Sequence, residues 1–120
     1  MAGSITINQS VQLLNGSLQK TITPGALALV QDDAGSFEDV NSIPTSEEAV
    51  ATFGSMTNEG WVYLRNIDAT NYVQWGFSTG VYGGRLEPGE TALFRAEPGF
   101  TLFFLANTAA CLVQIIVLEN

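Results

Sequence analysis

Short stretches of apolar and polar alternation, punctuated by tight-turn dipeptides, constrain this sequence more than any other feature. Ile5, Ile7, Gln9, Val11 and Leu13 alternate with Thr6, Asn8, Ser10 and Gln12, the period of two expected of a strand with one buried face. Asn15-Gly16 follows, a hairpin signal because both residue types tolerate positive φ. Leu18, Lys20 and Ile22 carry the alternation onto a second strand until Pro24-Gly25 breaks it. Ala26 to Val30 is a short apolar run between turn signals, expected as a third strand buried on both faces.

The segment from Gln31 to Ser46 is expected as loop plus one edge strand, with Phe37, Val40 and Ile43 as its apolar anchors. Around Thr45-Ser46-Glu47-Glu48 two readings stay open: a capped helical turn, or a short strand over Val50 to Phe53. Trp61 to Asn66 and Asn71 to Phe77 are rich in aromatic and β-branched residues and are expected to pair as a hairpin turning at Asp68-Ala69-Thr70. Ser78 to Gly84 contains Gly80, Gly83 and Gly84 and is expected as loop. Pro88-Gly89 and Pro98-Gly99 fit type II turns, with proline fixing one φ and glycine accepting the positive one. They delimit strands over Thr91 to Arg95 and Phe100 to Ala106, with a last strand from Cys111 to Leu118. The pattern predicts an all-β fold, an antiparallel β-sandwich of jelly-roll or Ig-like type with about eight strands. At 120 residues the chain is read as a single domain, 1–120, with residues 1–23 as an N-terminal arm or hairpin.

The chemistry available is narrow. There is no histidine, which removes the commonest general base and a principal zinc ligand. Lys20 is the sole lysine and sits in no recognisable nucleophile motif. Glu87, Glu90 and Glu97 lie in turns, where acids are ordinarily solvated; a two-carboxylate glycosidase is the remaining enzymatic reading. The expectation is a protein that is not an enzyme and holds no cofactor. The net charge of −8 argues against nucleic acid, because phosphate contact needs clustered Lys and Arg. Seven acids fall between Gln31 and Gly60 with no base: Asp32, Asp33, Glu38, Asp39, Glu47, Glu48 and Glu59. Asp32, Asp33, Glu38 and Asp39 lack EF-hand spacing, and a bound cation, a basic partner surface and a solvated loop all stay open for the segment. No membrane association is expected, since the apolar end from Phe100 to Leu118 is interrupted by Asn107, Thr108 and Gln114. The opening Met1-Ala2-Gly3-Ser4 has no basic patch followed by an apolar run, so no signal peptide is expected. Cys111, the single cysteine, lies in an apolar run and is read as a small buried hydrophobe.

Two surfaces are candidates for binding. Val62 and Leu64, with Val73, Trp75 and Phe77, make the better core, which leaves Trp61, Tyr63 and Tyr72, with Tyr82, nearer the surface. Exposed rings of this kind stack on sugars or anchor protein interfaces; the competing reading covers them with the N-terminal strands or the acidic loop. At the C-terminal end, Phe100, Leu102 and Phe104 oppose Phe103 and Leu105, and Cys111, Val113, Ile115 and Val117 oppose Leu112, Ile116 and Leu118. Both faces call for burial, and a sandwich has one interior. Either the excursion from Gln31 to Gly60 covers the second face or another subunit does, in a dimer or trimer. The interface expected on that ground is Phe100, Leu102, Phe103, Phe104, Leu105, Ile115 and Ile116.

The run Leu64-Arg65-Asn66-Ile67-Asp68-Ala69-Thr70-Asn71-Tyr72-Val73-Gln74-Trp75-Gly76 is followed by Arg85-Leu86-Glu87-Pro88-Gly89-Glu90, Phe94-Arg95 and Ala106-Asn107-Thr108-Ala109-Ala110. Together these resemble a pattern found in small structural proteins of tailed bacteriophages. The resemblance covers about the second half of the chain. It implies a virion protein, a capsid decoration or cement protein that oligomerises and binds the major capsid protein on the capsid exterior after assembly in the host cytoplasm. The same motif is compatible with a tail or baseplate component, or with a carbohydrate (receptor) binding module.

Overall fold

The computed structural model describes residues 3–31 and 34–120, and within them the protein is all-β, with twelve strands in antiparallel pairings. The chain divides into two compact units, Met1–Ala34 and Gly35–Asn120.

The first unit is a ribbon of two nested strand pairs. Strand β1 (Gly3–Asn8) pairs with β4 (Ala26–Gln31), and β2 (Val11–Asn15) with β3 (Leu18–Ile22). The single alternating run read from Ile5 to Leu13 is therefore broken at Gln9-Ser10 into two strands. At the tip, Asn15 pairs with Leu18 and Gly16 takes φ 59°. Gly16 is thus the first central residue of the two-residue turn, as in a II′ hairpin, while Asn15 stays on the strand. Ile5 is buried and Ile7 and Leu29 are half-buried. The expectation that Ala26 to Val30 is buried on both faces fails: Ala26, Leu27, Ala28 and Val30 are exposed. Strand β4 belongs to a two-stranded sheet, so its apolar run never enters a layered interior.

The second unit is a sandwich. One sheet has the order β10 (Thr91–Arg95), β7 (Glu59–Asn66), β12 (Cys111–Glu119), β5 (Ser36–Ile43). The other runs β6 (Glu48–Val50), β11 (Leu102–Ala106), β8 (Val73–Gly76), β9 (Gly84–Leu86). Alternation decides the interior, because successive side chains on a strand point to opposite faces. Val62 and Leu64 from β7, Val113, Ile115 and Val117 from β12, and Leu102 and Phe104 from β11 are fully enclosed together with Val73. Burying one such side chain contributes about 1.5–3 kcal/mol, so this layer is what holds the unit together. The Pro88-Gly89 turn forms as its sequence predicts: the Glu87 carbonyl accepts the Glu90 N–H at 3.0 Å and Gly89 takes φ 82°.

One pairing differs from expectation. Trp61–Asn66 and Asn71–Phe77 do not form a hairpin, since β7 pairs with β10 and β12 while β8 pairs with β9 and β11. The chain crosses from one sheet to the other between them. The Asp68 carboxylate fixes that crossing by accepting the N–H groups of Thr70 at 3.0 Å and Asn71 at 2.7 Å. Strand formation at both ends is thus correct, and the turn between them joins two layers instead of two neighbours.

Candidate interaction surfaces

Trp61, Tyr63 and Arg65 share the outward face of β7, as their alternation requires. Across that face Trp61 lies opposite Leu118 and Arg95, and Tyr63 opposite Ile116 and Leu93. The five aromatic and aliphatic members are half-buried. Further out, Leu112 and Val40 are exposed. The Trp61 Nε1 is buried and has no hydrogen-bond acceptor among the described residues, so this ring serves as an apolar body, with its polar edge unused.

Tyr72 does not join them. It precedes β8 in the other sheet, and the Arg85 guanidinium lies 3.5 Å from its ring centroid. Arg85 also pairs with Glu87 at 2.9 Å, so the cation that covers the ring is itself held. A sugar approaching Tyr72 would have to displace a cation–π contact. Tyr82 is likewise engaged, donating its hydroxyl to Glu47. The four aromatic residues therefore make no common stacking platform.

The expected interface list divides in two. Leu102, Phe104 and Ile115 are fully buried in the sandwich core; they serve the fold and are corrected out of any interface, because alternation sends them inward. Phe103, Leu105 and Ile116 point outward and are half-buried. Phe100 is half-buried and stacks on Phe53 with centroids 4.8 Å apart. From there a chain of ring contacts continues through Phe77 to Phe94 and Trp75, the last two stacked at 5.0 Å. Phe77, assigned to the core by its sequence, is instead 50% exposed, since it follows the last residue of β8 and lies past the sheet's end. It borders an open groove of about 520 Å³ that also touches Arg95, Glu97, Phe100 and Phe103.

Within the run Leu64 to Gly76, Asn66 and Asp68 serve the fold. Asn66 is fully buried and its side-chain amide donates to the carbonyls of Asn71 at 2.9 Å and Leu86 at 3.0 Å. Its Oδ1 accepts the Asp68 N–H at 2.9 Å. Cys111 is buried in contact with the same connection, its Sγ 3.6 Å from the carbonyl oxygens of Asn71 and Tyr72. Burial pushes its thiol above the ordinary range, with a smaller push from the Asp68 charge. Asn66 and Asp68 of the motif thus build a crossing between layers.

Glu47 holds a second loop. Its carboxylate accepts the hydroxyls of Thr79 and Tyr82 and the Gly80 N–H, the last at 2.7 Å. These bonds favour the charged form and hold its pKa below the ordinary value, the Thr79 bond most. Among the described residues no group of three or more His, Cys, Asp or Glu side chains could hold a metal ion. Asp32 and Asp33, two of the four acids weighed as a cation site, lie outside the described residues.

The tip of the ribbon belongs to the N-terminal arm or hairpin expected over residues 1–23, a natural contact by its sequence, but none of its residues stood among the expected interface residues. Every residue from Val11 to Ile22 is exposed, including Val11 at 62%, Leu14 at 65% and Leu18 at 59%. Its signal was the alternation itself, which announced a face in need of cover. No known protein family, curated protein or solved structure matches the chain.

Proposed function

We propose that the chain is a non-catalytic structural protein of a tailed-phage virion, a capsid decoration or cement protein. It binds the major capsid protein and stabilises the shell through protein–protein contacts. The observation that carries this reading is the ribbon tip, where Val11, Leu13, Leu14, Leu18 and Ile22 are all exposed. A lone two-stranded hairpin is marginal in water, and contiguous exposed apolar surface of this kind marks a protein–protein contact. The half-buried outward residues Tyr63, Ile116 and Leu118 add apolar surface of the same character. The lack of histidine supports a binding role over catalysis. The virion assignment rests on the bacteriophage-like run described above. A sugar-binding role has less support, because Tyr72 is covered by Arg85.

The test is quantitative mass spectrometry of purified virions of the phage that encodes the chain, with co-sedimentation of the protein on empty shells. Hundreds of copies per particle and saturable shell binding are expected. A handful of copies would move the protein to the tail, and none at all would end the virion reading.

A further inference from the structure

Asn15-Gly16 is the one place in the chain where glycine follows asparagine. Asn15 ends β2 opposite Leu18, and Gly16 leads the turn at φ 59°. Both residues are exposed, and no hydrogen bond among the described residues holds the Asn15 side chain. An added Cβ on Gly16 would meet nothing within 4 Å, so the space around this peptide is open. Asn66 is the contrast: its amide is buried and pinned to the carbonyls of Asn71 and Leu86.

Three features open the Asn15 side chain to attack by the next main-chain nitrogen. Gly16 has no Cβ to hinder the approach of its nitrogen to the Asn15 Cγ. It lies outside both strands, so its N–H is not committed to their ladder. The rotation at Asn15 that brings the two atoms together needs the strand end to loosen, and a two-stranded ribbon opens at little cost. We infer that Asn15 is a self-modification site, which converts to aspartate and isoaspartate through a cyclic imide with Gly16. The Gly16 nitrogen gives up its proton and bonds to Cγ; the bond from Cγ to Nδ2 breaks, and ammonia leaves with that proton. Water, the one co-reactant, then opens the ring. Cleavage at Cγ gives aspartate, and cleavage at the main-chain carbonyl carbon gives isoaspartate. Either product adds one negative charge to the net −8. Isoaspartate also lengthens the main chain by a methylene between Asn15 and Gly16. The turn sets the register of a hairpin, so the Asn15–Leu18 pair that closes β2 on β3 is lost, while β1 and β4 pair at the ribbon's other end.

Warm incubation of the full folded chain in mildly alkaline buffer made with oxygen-18 water tests this, followed by peptide mapping with fragmentation that distinguishes aspartate from isoaspartate. Asn15 is expected to convert before every other asparagine, taking up one labelled oxygen and releasing one ammonia, and faster as pH rises because the Gly16 nitrogen must lose its proton. Asn15→Gln is expected to abolish that ammonia, since its ring would have to be larger by one carbon. The isoaspartyl form, separated chromatographically, is expected to exchange the β2–β3 amides about fivefold faster, the effect of one lost backbone hydrogen bond. Near-UV dichroism of the aromatic core should not change. An Asn15 that stays intact in the folded chain while the urea-unfolded chain converts, an earlier conversion at Asn41, Asn58 or Asn107, or unchanged exchange in the isoaspartyl form would each overturn the inference.

Discussion

The side-chain amide of Asn66, at the end of β7, donates to the carbonyl of Leu86, 3.0 Å away at the end of β9, and so ties one sheet of the sandwich to the other. The same amide donates to Asn71. Asn66→Ala removes both of these bonds from the interior, and one such bond to a buried carbonyl is worth about 1–3 kcal/mol. With the second bond, a loss of about 2–4 kcal/mol is expected in urea denaturation, with the m-value unchanged. A loss under about 0.5 kcal/mol, the size of an ordinary surface change, would mean that the crossing is held by packing instead.

Gly76 is a second fixed point. A Cβ there would run into the backbone carbonyl of Val81, which has no flexible end to move aside. Gly76→Ala is expected to destabilise by about 1–3 kcal/mol, the range for forcing atoms into filled space. Gly83→Ala is the control, because nothing lies within 4 Å of the added atom. Calorimetry of the two variants should separate them clearly.

These details show where the sequence was legible. Turn chemistry at Pro88-Gly89 and the inward alternation of Val113, Ile115 and Val117 could be read directly, because both follow from local geometry. The sheet to which β8 belongs could not, since strand composition and a turn at Asp68 are equally consistent with a hairpin and with a crossing; the amide of Asn66 decides, and its partners are distant in sequence. Of the two readings open at Thr45 to Glu48 the strand is the one that forms, but at Glu48–Val50 and not Val50 to Phe53, and Gly84–Leu86 had no signature of its own, because both strands form by pairing, with β11 and β8. Alternation from Val11 to Ile22 revealed a face needing cover without revealing what covers it. Phe77 was misplaced because the end of a strand is not visible in its composition.

The Glu47 clasp is expected to respond to acid. Its folded pKa lies below the ordinary 4.5 because Thr79, Tyr82 and Gly80 donate to the carboxylate. Its stabilising contribution is therefore complete above the unfolded value and disappears as pH falls through the lowered folded one. At neutral pH, Glu47→Gln should speed amide exchange at Gly80. The difference from the unsubstituted protein should shrink in acid, once the carboxylate is protonated. Equal exchange at neutral pH would show that the loop is held by other contacts.

Cys111 is expected to resist alkylation. Burial raises its pKa, so thiolate is scarce near neutrality, and the sulfur is enclosed. Labelling with a thiol reagent should be slow in the native protein and should accelerate in step with unfolding across a urea series. Rapid native labelling would show that the Asn71 to Tyr72 crossing opens on its own.

Strand β5 closes its sheet on one side, and its eight residues make it the longest outermost strand of the sandwich. A margin of that length is a standing invitation to a foreign strand. Glu38 and Asp39 sit midway along it, and the Asp39 carboxylate already takes the N–H of its neighbour Val40 at 2.9 Å. Two adjacent negative charges on such a rim make stacking of identical molecules self-limiting. Conditions that neutralise those carboxylates should be the ones in which the protein turns fibrous.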